Sequence, residues 1–242
     1  VSDRKTGVGC DQLISVHKSN DGISDCKIKI FNCDGSEAES CGNAIRCVGS
    51  ELLNEIDKDN LLIETKGGLV DVEEQSDGMI TVDMGLAKFN WDQIPLSHPQ
   101  DTSDLMIQVG KLKKGVAVNI GNPHVIFFYE NLVETQLLED CKKVSKMKIF
   151  PSGVNISIVK IENKNKISLI TYERGCGFTQ ACGTAACASV VVSHKLNLCE
   201  RRTEVLMKGG MLIIDYLSDG HVLMTGSVSK VFQGVLNESI FT

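Results

Sequence analysis

The sequence has no dense cluster of basic residues and no long apolar run. Its 25 lysines and arginines are outnumbered by 31 aspartates and glutamates, which gives a net charge of -6. A chain without a positive patch lacks the usual means of binding nucleic acid or an anionic membrane. No apolar run approaches the length of a membrane span, about 18 to 20 residues, and the first five residues do not resemble a signal sequence. We therefore expect no nucleic-acid or membrane partner, and a cytoplasmic location.

The sequence also lacks the Cys-x-x-Cys spacing that is typical of zinc sites, although ten cysteines are present. Disulfide frameworks belong to short, loop-rich chains, whereas a chain of 242 residues can bury a large core without such links. We therefore predict reduced thiols and no bound metal. Most of these cysteines, Cys47 among them, are expected to pack as small hydrophobic side chains.

One short pattern occurs twice, 141 residues apart, as Cys41-Gly42-Asn43-Ala44 and as Cys182-Gly183-Thr184-Ala185. Two turn patterns return at an offset of 142 residues: Lys-Gly-Gly at 66–68 and 208–210, and Ser-Asp-Gly at 76–78 and 218–220. A nearly constant offset indicates a duplicated unit. We predict two pseudo-symmetric halves, one formed by residues 1–84 plus 229–242 and the other by residues 85–228.

Most segments alternate apolar and polar residues and are bounded by turn signals, which predicts strands joined in antiparallel hairpins. The predicted strands are 27–32, 61–65, 69–73, 79–84, 115–120, 125–129, 155–161, 166–172, 203–207, 211–216 and 221–224. We therefore predict an α+β fold in which each half is a mostly antiparallel curved sheet or barrel wrapped around a central helix.

The central helices are predicted to follow the two Cys-Gly pairs. After Cys41, the apolar residues recur every three to four positions, as expected of an amphipathic helix; they are Ile45, Val48, Leu52 and Ile56. Residues 181–192 are small or apolar on nearly every side, which predicts a buried helix. A third, exposed helix is predicted near residues 132–146.

Both repeated cysteines are expected at the start of a helix. There, free backbone N–H groups and the helix dipole lower the pKa of a thiol and can hold an anion. A nucleophile needs one thiol with a base, whereas two thiols at equivalent positions suit proton exchange. One would remove the α-proton of an amino acid while the other protonates the carbanion from the opposite side. The N–H groups expected to hold the developing charge are those of Gly42, Asn43, Gly183 and Thr184.

Residues 32–47 and 173–188, each containing one of the Cys-Gly pairs, resemble the two signatures of the diaminopimelate epimerase family. Gly7-Val8-Gly9-Cys10-Asp11-Gln12 and Gly121-Asn122-Pro123-His124 match two further stretches of that family, and the resemblance covers essentially the whole chain. It implies an isomerase that converts LL-2,6-diaminopimelate to the meso form in lysine and peptidoglycan biosynthesis. It further implies a reaction without pyridoxal phosphate, metal or other cofactor, and it is compatible with a homodimer.

The resemblance also assigns roles to individual residues. Cys41 and Cys182 would be the two acid/base thiols, with His124 and Glu173 behind them to tune them. The side chains expected to hold the distal end of diaminopimelate are Gln12, Asn32, Asn122, Asn155, Glu173 and Arg174. Their chemistry is suitable, because an arginine binds a carboxylate with two parallel hydrogen bonds and a glutamate accepts from an ammonium group.

Two alternatives remain at this point. A proline racemase or 4-hydroxyproline epimerase also uses two thiols, although Glu173, Arg174 and the three asparagines favour a substrate with a second amino-acid end. The family also has an initial strand with a Gly-Asn-Asp-Phe motif, and we expect this sequence to begin after it. A catalytically silent homologue, truncated at the N-terminus, is therefore the third hypothesis.

Overall fold

The computed structural model describes residues 1–38, 41–56, 58–237 and 240. Its described residues form fifteen strands, most of them paired antiparallel, and three helices, so the predicted α+β class is confirmed. The strands are β1 (Gln12–Lys18), β2 (Cys26–Asn32), β3 (Glu37–Ala38), β4 (Asn60–Thr65), β5 (Gly68–Glu74), β6 (Ile80–Leu86), β7 (Leu105–Val109), β8 (Leu112–Asn119), β9 (Pro123–Phe128), β10 (Asn155–Asn163), β11 (Lys166–Glu173), β12 (Gly177–Thr179), β13 (Arg202–Met207), β14 (Gly210–Tyr216) and β15 (His221–Gly226). The helices are α1 (Gly42–Ile56), α2 (Glu134–Ser145) and α3 (Gly183–Lys195).

The chain divides into two compact units, one formed by Val1–Val82 with Ser227–Thr242 and the other by Asp83–Gly226. In the first unit the strands follow the order β1, β2, β4, β5 and β6, with β3 paired to β2. Strands β2 and β4 are parallel and α1 connects them, whereas the hairpins β1–β2, β4–β5 and β5–β6 are antiparallel. A helix between two parallel strands is the connection that parallel pairing requires.

Helix α1 buries a different face from the one that its apolar residues predict. Ile45 is buried as expected, but Ile56 is 44% exposed, and the buried side continues instead through Gly49 and Leu53. A Cβ atom on Gly49 would lie 2.4 Å from Cγ1 of Val72 in β5. The absence of a side chain at Gly49 therefore lets the helix backbone approach the sheet, and this contact sets the buried face.

In the second unit the strands follow the order β15, β14, β13, β11, β10, β9, β8 and β7, with β12 paired to β11. The sheet surrounds α3, which contacts β8, β9, β10, β11, β13, β14 and β15. As predicted, this helix is buried on all sides over its central turns, from Ala185 to Ser193. Helix α2 also packs on the sheet, with Leu137, Cys141 and Val144 in a core that includes Ile156 and Ile158 of β10.

The two units repeat one succession of elements. A strand (β2 or β11) is followed by a short antiparallel strand, a helix, a strand parallel to the first, and two further antiparallel strands. The repeated turns have the same backbone geometry: φ is +127° at Gly68 and +138° at Gly210, and +79° at Gly78 and +95° at Gly220. Since side chains disfavour positive φ, the repeated glycines are explained by the shape of these turns.

Strands β1, β3, β7 and β12 were not predicted. In β7 the outward-facing Met106 is apolar and 84% exposed, which hides the alternation between buried Leu105 and Ile107. In β1, Leu13 and Val16 lie on opposite faces and are both partly exposed. Strands β3 and β12 contain only two and three residues.

None of the helices in the described part of the chain is long and apolar enough to cross a membrane.

Candidate active site

The second Cys-Gly pair lies at the first turn of the buried helix α3. Cys182 is its N-cap residue, with extended backbone angles, and its carbonyl oxygen accepts the first helical hydrogen bond from Ala186 N at 3.1 Å. In the first unit, Cys41 stands in the same relation to α1, where its carbonyl accepts from Ile45 N at 2.9 Å. Each repeated cysteine therefore begins a helix, as the sequence predicts.

The repeated Lys-Gly-Gly turn of the second unit supports the segment that precedes the Cys182 thiol. Gly209 N donates to the carbonyl oxygen of Gln180 at 2.7 Å. A Cβ atom on Gly209 would lie 2.9 Å from the Cβ of Ala181, which is too close for any other residue unless the backbone moves. This supporting role of the turn was not predicted, although the repetition of Lys-Gly-Gly in the sequence singles the turn out as a feature of both units.

Two side chains contact the sulfur of Cys182. The thiol donates to Oε2 of Glu173 at 3.3 Å, and Oγ1 of Thr184 lies 3.5 Å from the sulfur. Thr179 in turn donates to Oε1 of Glu173 at 2.5 Å and fixes that carboxylate. Thr179 was also missed, because β12 is too short to leave a periodic pattern.

The environment of Cys182 makes it a weak acid. Burial, followed by the negative charge of Glu173, raises the pKa of this thiol to about 12. The expectation that the helix start would lower the pKa of Cys182 is therefore wrong for this structure, since desolvation outweighs the donors at the helix end. In this state Cys182 is a thiol and can donate a proton.

His124 lies behind this thiol and does not contact it directly. The ring is fully buried, with Nε2 placed 2.8 Å from Oδ1 of Asn122 and 3.0 Å from Oγ1 of Thr184. Burial, with a smaller effect of the Arg174 charge, lowers the pKa of His124 to about 3. The imidazole is therefore neutral at physiological pH, and its link to Cys182 runs through Thr184.

Asn155 and Arg174 are held together beside His124. Asn155 pairs with His124 across the parallel strands β9 and β10, and its amide is hydrogen-bonded at both ends. Its Oδ1 accepts from Arg174 N at 3.0 Å and its Nδ2 donates to Pro123 O at 3.2 Å. The guanidinium of Arg174 donates to Ser152 O at 2.7 Å and borders a cavity of about 350 Å³ that Tyr172 also lines. Both ends of the Asn155 amide are therefore occupied, and this side chain holds Arg174 in place.

In the first unit, Gln12 and Asn32 face each other across β1 and β2. Nε2 of Gln12 donates to Oδ1 of Asn32 at 3.1 Å. Gly42 and Asn43 form the first turn of α1, and Asn43 Oδ1 accepts from Arg46 at 3.2 Å. In the second unit Glu173, Thr184 and His124 form one hydrogen-bonded group with Cys182, whereas in the first unit hydrogen bonds join Gln12 to Asn32 and Asn43 to Arg46. That the two sulfurs face one substrate carbon stays a prediction.

The residues around Cys182 can exchange a proton and bind a carboxylate. A thiol, a carboxylate and a hydroxyl meet at a helix N-terminus, where backbone N–H groups favour an anion. No cluster of three or more histidine, cysteine, aspartate or glutamate side chains able to hold a metal ion occurs in the described residues.

Comparison with known proteins identifies relatives of the whole chain. The family model described as diaminopimelate epimerase matches residues 1–90 and 116–231. The diaminopimelate epimerase of Acidiphilium cryptum is 40% identical over 240 residues, which cover 99% of this chain and 86% of the relative. That of Zymomonas mobilis is 37% identical, covering 100% of this chain and 87% of the relative.

Solved structures share the fold at much lower sequence identity. A probable proline racemase from Agrobacterium radiobacter superposes with a TM-score of 0.64 at 13% identity, covering 95% of this chain and 78% of the other. At this identity the similarity concerns the fold alone.

Proposed function

Because the chain belongs to the diaminopimelate epimerase family, we propose that it interconverts LL- and meso-diaminopimelate by proton transfer between Cys41, Cys182 and the α-carbon. Enzymes of this activity are isomerases of lysine biosynthesis. The observation that carries the proposal is the thiol of Cys182 at the N-terminus of a buried helix, 3.3 Å from a carboxylate oxygen of Glu173. The same Cys-Gly pair begins α1 in the other unit.

The proton transfer we propose needs one thiolate and one thiol. Cys41 as thiolate takes the α-hydrogen as a proton, and the electron pair of the broken C–H bond stays on the α-carbon. Cys182 then gives its S–H proton to the opposite face of that carbon and becomes a thiolate. One proton leaves and one arrives, so the configuration inverts and no oxidant is required. The high pKa of Cys182 supports its starting as the acid.

The remaining roles are those that the family resemblance implies, and hydrogen-bonding chemistry is compatible with them. The first-turn N–H groups of α1 and α3, from Gly42, Asn43, Gly183 and Thr184, would stabilise the charge on the substrate carboxylate. The distal amino-acid end would be held by Gln12, Asn32, Asn122, Glu173 and Arg174, with Asn155 holding Arg174 in place. We further propose a cofactor-free reaction in the cytoplasm and a homodimeric assembly.

The test follows the α-proton. LL-Diaminopimelate is incubated with the protein in deuterated water, and the α-proton signal is followed by NMR together with formation of the meso form. We expect the signal to disappear as the meso form appears, with no exchange for L-proline. Exchange of L-proline alone would replace the proposal with a proline racemase. A folded protein that exchanges neither would be a silent homologue.

A further inference from the structure

The hydroxyl of Thr184 connects two groups that do not touch each other. It is the second residue of α3, and its Oγ1 lies 3.5 Å from the sulfur of Cys182 and 3.0 Å from Nε2 of His124. The sequence suggests only a backbone role for this residue, as an N–H donor at the helix start. Its side chain therefore requires a separate explanation.

The direction of these hydrogen bonds follows from His124. The ring is neutral and carries one proton, and Asn122 presents a carbonyl oxygen to Nε2 at 2.8 Å. An acceptor at this distance requires the proton on Nε2, so the ring acts as a donor there. A protonated Nε2 cannot accept a hydrogen bond, so its one N–H is shared between the oxygens of Asn122 and Thr184, and the Thr184 hydroxyl proton is left to point at another acceptor. Among the described contacts of that hydroxyl, the acceptor is the sulfur of Cys182.

We propose that Thr184 is a positioning residue whose hydroxyl stabilises the thiolate form of Cys182, with His124 holding the hydroxyl in the donating orientation. The proposal rests on the proposed function, because only a two-thiol reaction requires Cys182 to lose and regain its proton in each cycle. A hydroxyl suits this cycle since it donates to the thiolate, while the S–H of the thiol form donates to Glu173. Imidazole and hydroxyl thus oppose Glu173, whose charge favours the thiol.

The other ionisable groups around this end of α3 have different partners. Glu173 on β11 is the charged group in contact with the sulfur, and Arg174 acts on His124. Lys208, in the turn between β13 and β14, is paired with Glu134 at 2.7 Å. The hydroxyl of Thr184 is also a neighbour that lowers the pKa of Cys182, in agreement with a donor that favours the thiolate.

The test compares Thr184→Val, which keeps the branched shape and removes the hydroxyl, with Thr184→Ser, which keeps the hydroxyl. Substrate-free proteins are treated with methyl methanethiosulfonate from pH 7 to pH 10, and modification of Cys182 is followed by peptide mass spectrometry. A hydrogen bond to a charged group stabilises it by enough to change its pKa by about 1. We therefore expect modification of Thr184→Val to be about tenfold slower at each pH, and Thr184→Ser to match the parent protein.

A second readout uses turnover. In the direction of the reaction in which Cys182 takes the α-proton, the acid limb of the kcat/KM profile should move to higher pH in Thr184→Val and should return in Thr184→Ser. An unchanged modification profile in Thr184→Val, or a Thr184→Ser variant as slow as Thr184→Val, would overturn the proposal. If Thr184→Val does not fold, Thr184→Ala removes the same hydroxyl. The modification rates need no turnover, so a parent protein that is inactive on diaminopimelate would refute the proposed function without deciding this inference.

Discussion

Glu173 controls the acidity of Cys182 and is itself held by a neighbour. Its two carboxylate oxygens have separate partners, with Oε2 accepting from the thiol and Oε1 from Thr179. A fixed negative charge beside a buried thiol disfavours the thiolate, in addition to the larger effect of burial. The position of this carboxylate therefore adds to the effect of burial on how readily Cys182 gives up its proton.

Replacement of Glu173 by glutamine should make the Cys182 thiol more acidic. The substitution removes the charge and keeps the shape, so the pKa of Cys182 should fall. Its modification by methyl methanethiosulfonate should then become about tenfold faster if that pKa falls by about 1. Glu139→Gln, at an exposed position of α2, is the control and should leave the rate unchanged. A slower reaction in Glu173→Gln would contradict the assigned direction of the effect.

Removal of either proposed acid/base thiol should stop epimerisation. Cys41→Ala and Cys182→Ala should each reduce kcat by a factor on the order of 100 to 10,000, because loss of one proton-transfer group removes that much catalysis. Cys47→Ala is the control, and it is suitable because Cys47 is exposed on α1 rather than packed as predicted. The measurement is deuterium incorporation into diaminopimelate. Substantial turnover by Cys182→Ala would show that the site is assigned to the wrong residue.

At the scale of elements, long and regular segments could be predicted from the sequence and short or two-faced ones could not. Helix α3 was predicted because its residues are apolar on every side, and α2 (Glu134–Ser145) lies within the predicted range of 132–146. Strand β1 was missed because its apolar residues lie on both faces. The repeat indicates a strand at β1 even though its residues do not alternate. In the second unit β10 pairs antiparallel with β11, and β1 pairs with β2 in the same way in the first unit.

In the candidate site, the local features could be predicted from the sequence and the long-range contacts could not. The helix starts at Cys41 and Cys182 follow from the repeated motif, whereas the contact between Thr184 and His124 joins residues that are 60 positions apart. Such a contact depends on how α3 packs against β9, which no local pattern encodes. The high pKa of Cys182 was missed for the same reason, because burial is a property of the packed unit.

The repeated turns provide a matched pair of stability experiments. Gly68→Ala and Gly210→Ala would each place a side chain at positive φ, at +127° and +138°, while the new Cβ would meet no atom within 4 Å. The loss of stability should therefore be backbone strain alone, about 1 to 3 kcal/mol. Urea unfolding gives the free energies, and Gly234→Ala, in the irregular segment after β15, should change the value by less than about 0.5 kcal/mol. Unchanged stability in both turn variants would contradict the described turn geometry.

For the whole molecule, buried titratable groups restrict the pH range of greatest stability. Burial lowers the pKa of His124 from 6.5 to about 3, so between these values the unfolded chain binds a proton that the folded chain does not. Stability is therefore lost as the pH falls below 6.5. Burial also raises the pKa of Cys141 and Cys182 from 9.0 to about 12, so stability is lost as the pH rises above 9.0. The maximum is expected between these limits.

The acid side of this profile can be assigned to one residue. Between pH 6.5 and about pH 4.5, the free energy of unfolding should fall by up to about 1.4 kcal/mol per pH unit through His124. His124→Gln should flatten this slope whatever its effect on stability at pH 7, and His17→Gln, on exposed β1, should retain it. Urea unfolding across this range is the measurement. A slope that persists in His124→Gln would show that another group is responsible.

The two copies of the duplicated segment have not stayed chemically equal. Glycine occupies the positive-φ positions of the two repeated turns in both copies, at 68 and 210 and at 78 and 220. Thr184, in contrast, occupies the position at which the first copy has Asn43. One cysteine therefore begins a helix beside a hydroxyl that lies 3.5 Å from its sulfur, and the other begins a helix beside an amide that accepts from Arg46. Divergence at this pair of positions leaves two units that share one succession of elements but place their thiols beside different side chains, so the two thiols need not respond alike to acid or base.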